Sequence, residues 1–545
     1  MGLVNGSYLI ARTLKEEGVD TLFYLMGGPN FDIVMSCQDM GIRTIDVRHE
    51  QAAAMAAHAY SRVTGKPGVV TAASGPGTLN LLTGVYVASI DCSPMVILGG
   101  AGPVHEIGRE AFQEVDQTSI LKPLCKWWHQ TTQAARYPEV VSTAFRQATT
   151  GRPRPVYIDC GADVLYEQVE EEKAIRPPRT KKLSRAAAEP GAVKEAIDML
   201  AKAERPILVA GGGAFYSGAA PELERFVDLT STPFYTQPMS RGLVPEDHRV
   251  SFQGARSTAM KETDLVFVVG TRLNWMLQYG TRFAKNAKFI QIDIEPSELG
   301  HNRAIDLGIV GDAKAVMTQM IAEAERQESK FAHRIESPWI AHLRDDDRQR
   351  AKEMEPMLNS NATPIHPLRL CKEIRDFLDR DAILSVDGND ILHMGRQSIP
   401  TYFPGHRLNS GVTGTMGVGL PYGLGAQVAR PGTQVLVLHG DGSVGMNAME
   451  IDTCVRHNLP VVTVISNNAG WTARRGRKPG RELGHTNYDV MAKAFGGYGE
   501  RVEDPNQIRP ALQRAYASGK AAIINVIVDP TVAGVSKAWG GARME

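Results

Sequence analysis

Apolar and polar positions along the chain follow two rhythms. Short runs of β-branched and other apolar residues, half of them ending in glycine, occur at 21–28, 44–47, 69–73, 95–100, 207–213, 266–270, 289–294, 383–386, 435–440 and 461–466. Longer stretches with helical spacing separate them. Strands that are apolar on both faces belong inside a layered α/β structure, where helices cover both sides of a parallel sheet. Two polar segments interrupt the alternation. One, 167–190, carries Glu170-Glu171-Glu172-Lys173, Pro177-Pro178 and Lys181-Lys182; the other, 328–367, carries Asp345-Asp346-Asp347, Pro356, Pro364 and Pro367. Read as linkers, they divide the chain into three α/β domains with parallel sheets, at 1–168, 190–328 and 365–530, followed by a tail, 531–545.

Composition narrows the classes. The chain has 545 residues, Lys+Arg 60 against Asp+Glu 60, and a hydrophobic fraction of 43%. Balanced charge leaves no basic footprint for nucleic acid and no polybasic face for lipid. No apolar run approaches the roughly 20 residues of a membrane helix, and the N-terminus lacks a basic segment followed by an apolar core. The six cysteines are far apart, with no C-x-x-C pair, which suits a reducing compartment. The expectation is a cytoplasmic protein with neither nucleic acid nor membrane as partner.

The most informative stretch is His439-Gly440-Asp441-Gly442-Ser443, followed one helix (445–458) and one strand later by Asn467-Asn468. Asp441 leaves a buried strand at the carboxyl edge of its sheet, where open α/β sheets bind ligands. Gly442 permits close approach of a phosphate, and the helix that follows favours an anion at its start. A carboxylate, the Asn468 amide oxygen and a backbone carbonyl form a hard oxygen set. With two diphosphate oxygens and a water they complete an octahedron around Mg²⁺. Gly-Asp-Gly alone is a common turn; the strand–turn–helix–strand–Asn-Asn context makes it specific. Here the sequence resembles the thiamine-diphosphate-dependent decarboxylases and synthases. The resemblance implies thiamine diphosphate and Mg²⁺ as cofactors. It assigns diphosphate contacts to Gly440, Asp441, Gly442, Ser443 and Asn468, and the metal to Asp441, Asn468 and the carbonyl of Gly470.

A second signal is Arg48-His49-Glu50 at the start of an Ala-rich helix. Glu50 there complements the helix dipole. The resemblance gives it a second role, hydrogen bonding the cofactor's aminopyrimidine and favouring its imino form, a task for a carboxyl with a raised pKa. In the Gly-rich loop 411–419, Met416 reads as core filler from the sequence. By resemblance it props thiamine in a bent conformation while the Gly414 carbonyl meets the aminopyrimidine. The family builds its site across a subunit interface, which implies a homodimer or homotetramer. Its fold implies a Rossmann-like middle domain between two cofactor-binding ones, with an ADP-like nucleotide as a candidate ligand there.

Most of the chain resembles the branch containing 2-hydroxyacyl-CoA lyase and oxalyl-CoA decarboxylase, on Gly254–Ala259, Gly270–Trp275 and Gln291–Pro296. Arg256 and Arg407 then become candidates for coenzyme A phosphates, although alone they read as ordinary surface or strand-end residues. Phe112-Gln113-Glu114 looks like the lyases; the decarboxylase looks like Tyr-Glu-Glu. Gln113 would orient the substrate, where a bland reading makes it a loop residue. After the metal motif the chain departs from the branch: Ala469-Gly470-Trp471-Thr472 replaces Asn-Gly-Ile-Tyr, and a basic run, 474–481, follows. Glu482, or His485, is the candidate base for the substrate hydroxyl. The implied reaction cleaves the C1–C2 bond of a short or branched 2-hydroxyacyl-CoA, such as 2-hydroxyisobutyryl-CoA, to formyl-CoA and an aldehyde or ketone. Alternatives are an oxalyl-CoA decarboxylase, an acetolactate synthase-like carboligase, and a non-catalytic nucleotide-binding protein of the same fold. The glycine-containing tail, with Lys537 and Arg543, reads as a lid over coenzyme A or as a frayed end.

Overall fold

A computed structural model describes residues 2–177, 184–472 and 479–534. It contains three parallel sheets, each flanked by helices. The first has six strands: β1 (Thr21–Tyr24), β2 (Arg43–Asp46), β3 (Gly68–Ala72), β4 (Met95–Ala101), β5 (Trp127–Thr131) and β6 (Pro155–Gly161), in the order β2-β1-β3-β4-β6-β5. The middle sheet has β7 (Pro206–Ala210), β8 (Phe234–Thr236), β9 (Leu265–Val269), β10 (Lys288–Asp293) and β11 (Leu307–Val310), ordered β8-β7-β9-β10-β11. The third has β12 (Ile383–Asp387), β13 (Arg407–Leu408), β14 (Val435–Gly440), β15 (Val462–Asn467), β16 (Tyr498–Val502) and β17 (Ala522–Ile527). Its order, β13-β12-β14-β15-β17-β16, repeats the winding of the first. A short antiparallel ribbon pairs Leu3–Asn5 with Gln168–Glu170, closing the first domain on itself.

The middle domain has its own core. The other two each have one as well and share a further one, an apolar cluster that runs from Phe23, Ile45 and Val70 to Val435, Val437 and Ile523. Two helices fill the space between these sheets, Glu50–Thr64 and Gly419–Ala429. Small residues let them approach closely. A Cβ on Gly425 would lie 2.3 Å from the backbone oxygen of Ala56. Their one buried polar seam is satisfied internally, with the Tyr422 hydroxyl and His58 Nδ1 at 2.9 Å and His58 Nε2 at 2.9 Å from Ser93 Oγ.

Two predicted features take another form. Segment 328–367 is largely helical, with a 21-residue helix, Pro338–Leu358, whose only buried side chains, Trp339, Ile340 and Leu343, join the middle-domain core. Charge-rich composition reads as linker because most of this helix faces water. The single helix predicted over 445–458 is two pieces, Asp441–Val444 and Glu450–Arg456, so the first helical turn begins at Asp441 itself. Residues 474–478 of the basic run, and the tail with Lys537 and Arg543, lie outside the described residues.

Candidate active site

Asp441 sits at the end of β14, 2% exposed. Its Oδ1 accepts from Gly442 N at 3.0 Å and its Oδ2 from Gly470 N at 2.7 Å. Burial nevertheless raises its carboxyl to about 6, against the pull of those amides. Asn468 follows β15, and its side-chain oxygen faces two other oxygens. The amide terminus lies 2.7 Å from Gly470 O and 3.0 Å from Asp441 Oδ1, and as hydrogen bonds alone these contacts would need the NH₂ there instead. With its amide oxygen turned inward, Asn468 joins Asp441 and the Gly470 carbonyl in a hard oxygen set of the kind Mg²⁺ takes. Mg²⁺ bound at about 2.0–2.1 Å to an octahedron puts neighbouring ligand oxygens about 2.9 Å apart. The three residues expected to hold metal are therefore brought together, and they fit Mg²⁺. Asn467 does a different job: its amide donates to Asn525 Oδ1 at 3.0 Å and its oxygen accepts from Ala469 N, fixing the turn in which Ala469 has φ +61°.

Beside the oxygen cluster is a cavity of about 510 Å³, counting space open to solvent, lined by Met416, Asp441, Ser443, Asn468, Trp471 and Thr472 among others. Trp471 lies flat on the glycine: a Cβ on Gly442 would meet its ring at 2.6 Å. Ser443 is turned inward, donating to Gly440 O at 3.0 Å. Gly414 adopts φ +64° and is exposed, so the loop turns there. The chain leaves the cluster and returns as a small bridge between Gly470 and Glu482. Both Glu482 and His485 are exposed.

Glu50 opens its helix after the N-cap His49, and is 8% exposed. Asn80 Nδ2 donates to its Oε2 at 3.0 Å, and a Cβ on Gly77 would lie 3.3 Å from its Oε1. The turn Gly75-Pro76-Gly77 thus frames the carboxyl. Gln113 adopts a left-handed backbone, φ +59°, and accepts a hydrogen bond from Ser74 Oγ at 2.7 Å. Glu50 and Gln113 therefore share one neighbourhood on the first domain. No residue lining the Asp441 cavity comes from that domain among the described residues. The residues expected at the site thus fall into two separate groups on one chain.

A third concavity lies at the switch point between β7 and β9, lined by Arg152, Gly212, Gly270, Arg272, Asp293 and Asp91 among others.

The sequence matches three successive family descriptions: "Thiamine pyrophosphate enzyme, N-terminal TPP binding domain" over 4–120, the central domain over 193–320, and the C-terminal TPP binding domain over 392–526. The chain belongs to the thiamine-pyrophosphate-dependent enzymes. Among similar proteins is a 2-hydroxyacyl-CoA lyase of Arabidopsis thaliana, 35% identical over 97% of this chain and 96% of the relative. An Escherichia coli oxalyl-CoA decarboxylase is also 35% identical, over 97% and 95%. So is an acetolactate synthase large subunit of Mycobacterium tuberculosis, over 96% of each. Overall identity therefore places this thiamine-pyrophosphate-dependent enzyme in the lyase, decarboxylase and synthase group without choosing among them. Its cofactor is thiamine diphosphate.

For such an enzyme the two candidate coenzyme A arginines are unequal. Arg256 donates to Thr236 O at 2.8 Å; burial and then Arg396 lower its guanidinium to about 9. Arg407 is 3% exposed and donates to Ile399 O at 3.3 Å, while Nε and Nη2 meet no partner. A phosphate contact at Arg407 thus meets a side chain already enclosed by its domain. Sequence reading missed the rest of the cluster. Arg241, Arg282 and Arg396 also bear on these two, and the carboxylate that answers them is Glu246, bound by Arg241 Nε at 2.7 Å. It missed Asn80 and Ser74 too, although both flank the Gly75-Pro76-Gly77 turn.

Proposed function

We propose that this enzyme is a 2-hydroxyacyl-CoA lyase that cleaves the C1–C2 bond of a short or branched 2-hydroxyacyl-CoA, releasing formyl-CoA and an aldehyde or ketone. One observation carries the reading: the arginine cluster where the middle and C-terminal domains meet. Arg241, Arg256 and Arg282 come from one side and Arg396 and Arg407 from the other, answered by Glu246. So much cationic charge in a partly dry setting favours a ligand rich in phosphate. Arg396 is exposed, and Arg256 is half-buried with Nη1 donating to Thr236 O. A pyruvate-consuming carboligase has no use for such a cluster. Phe112, where the decarboxylase has a tyrosine, supports the lyase over the decarboxylase, because it lacks the phenol that would donate to a second carboxylate.

When bound, thiamine diphosphate supplies the electron sink for carbon–carbon cleavage. The chain supplies the rest. Asp441, Asn468 and the Gly470 carbonyl would hold the cation, and Gly442 leaves room for the Trp471 ring that walls this cavity. Glu50 exchanges a proton with the aminopyrimidine, steadied by Asn80. Gln113 orients the substrate oxygen with an amide whose own oxygen is already bound by Ser74. Glu482, with His485 behind it, takes the hydroxyl proton. The nucleotide-like concavity, with Arg152, Arg272 and Asp293, suits an ADP-like ligand: guanidinium for diphosphate, carboxylate for ribose.

The two separate groups also support a homodimer in which Glu50 of one protomer faces Asp441 of its partner. Exposed apolar groups flank both, Phe112 (84% exposed) near Gln113 and Met446 and Met449 beyond the metal motif. Mixing Glu50→Gln chains with Asp441→Ala chains tests this. Random exchange restores roughly a quarter of the sites, because half the dimers carry one intact site each; no recovery would refute it. For the substrate, incubation with thiamine diphosphate, Mg²⁺ and 2-hydroxyisobutyryl-CoA yields acetone and formyl-CoA. Carbon dioxide from oxalyl-CoA, or consumption of pyruvate, would transfer the assignment to the decarboxylase or the carboligase.

A further inference from the structure

Gln117 begins the short helix Gln117–Leu121 and is 3% exposed. Both ends of its amide are committed. Oε1 accepts from the backbone N of Gly75 at 2.9 Å. Nε2 donates to Gly100 O at 2.7 Å and to Asp159 Oδ1 at 2.8 Å, and lies 2.9 Å from Tyr157 Oη. Gly100 is on β4 and Asp159 on β6, adjacent strands at the centre of the first sheet. One side chain therefore ties the sheet to the turn that frames Glu50.

The same turn touches Gln113. Ser74 holds its amide oxygen, and a Cβ on Gly75 would lie 2.6 Å from its backbone oxygen. Glu114 folds the preceding loop by accepting from Ala111 N at 2.9 Å and from Gly108 N. A left-handed backbone at a residue with a long side chain is strained and persists only where its surroundings over-determine it. Here that constraint is Gln117 on one side and Ser74 on the other.

We propose that Gln117 is a positioning residue for the reaction. It clamps the Gln113 loop to the Gly75-Pro76-Gly77 turn, so that Gln113 and Glu50 keep a fixed relation to one another. The proposal rests on Gln113 being the group that orients the substrate. Misplacing such a group by about 1 Å costs about 100-fold in rate, so a clamp acting through backbone still registers in turnover.

The test uses the holoenzyme and the variants Gln117→Glu, Gln113→Ala and the double variant. Gln117→Glu keeps the acceptor for Gly75 N but sets a carboxyl against Asp159. The pair then needs a shared proton to stay bonded. Expected at pH 8 is a fall in kcat of about 10- to 100-fold, with KM and cofactor affinity unchanged. Activity relative to the parent recovers as pH is lowered, and Gln117→Glu adds no loss in the Gln113→Ala background. Equal losses in both backgrounds, or a parallel fall in cofactor affinity, would show a structural role and overturn the proposal. Full activity in Gln113→Ala would overturn its premise. Amide hydrogen exchange in the cofactor-free protein gives a readout independent of turnover. Residues 108–117 and 75–77 exchange faster in Gln117→Glu, with the rest of the chain unaltered; unchanged or uniformly faster exchange refutes the clamp. If the parent enzyme turns over no 2-hydroxyacyl-CoA, the substrate assignment falls, and exchange alone decides for or against the clamp.

Discussion

Asp441 and Glu50 are both buried carboxylates at strand–helix junctions, yet their partners set them different tasks. Asp441 is braced by backbone amides that aim its oxygens at Asn468 and Gly470. Glu50 is met by one side-chain amide, which leaves an oxygen for a ligand. Asp441→Ala is therefore expected to abolish Mg²⁺-dependent cofactor binding in titration calorimetry. Glu50→Gln retains binding but loses about 10²- to 10⁴-fold in turnover, the usual size of a proton-transfer contribution. Glu450 shows a third use. It accepts from the backbone N of Arg48, 3.1 Å, and from Thr453 Oγ1, so the helix after the metal motif grips the strand end that leads to Glu50. Burial raises its carboxyl from 4.5 to about 7, against the pull of Thr453, the Arg48 and His49 amides and Arg456. The folded chain thus holds this proton more tightly than the unfolded one. Its contribution to stability is complete below pH 4.5 and is lost as pH rises through about 7. Between those limits the melting temperature of Glu450→Gln should decline less with pH than that of the parent; identical slopes would contradict the assignment. The metal motif was legible because its spacing is local to one strand–helix–strand unit. Asn80, Ser74 and Gln117 were not, since their partners lie 30 to 42 residues away and only the fold joins them.

At the level of elements, the helix pair between the outer sheets is the tightest constraint. Gly425→Ala drives a methyl into the backbone of Ala56. Overpacking of this kind costs about 1–3 kcal/mol, readable as a lowered urea midpoint, whereas Gly432→Ala meets no neighbour and pays only for its φ of +83°. Most inner strands were evident from sequence because they are apolar on both faces, Pro155–Gly161 and Ala522–Ile527 being missed. Edge strands such as Arg407–Leu408 were not, being too short and mixed to stand out. Helix Pro338–Leu358 escaped because its three buried residues, Trp339, Ile340 and Leu343, sit in its first turns and the charged remainder shows no continuous stripe, although Trp339 still donates to Pro206 O at 3.2 Å.

Across the whole molecule, cores and domains do not coincide. The middle domain encloses its apolar cluster only when the helix carrying Trp339, Ile340 and Leu343 is included. A fragment ending at 328 is expected to lose about 1.5–3 kcal/mol for each of these side chains left out, and to unfold in less denaturant than one ending at 358. The first and third domains each keep a cluster and share another, so separating them would expose the shared one to water. Sequence showed three units but not this unequal partnership, because shared burial depends on which faces meet. Their sheets are wound in the same order, so β3 and β14 occupy equivalent places. After β3 stands Gly75-Pro76-Gly77; after β14 stands Gly440-Asp441-Gly442. Copying one ancestral domain and fusing the copies would leave this pattern. On that view the two copies divided the labour at a single position, where one kept a carboxylate for the cation and the other took a proline that has none, freeing its edge of the sheet to face the opposite end of the same cofactor.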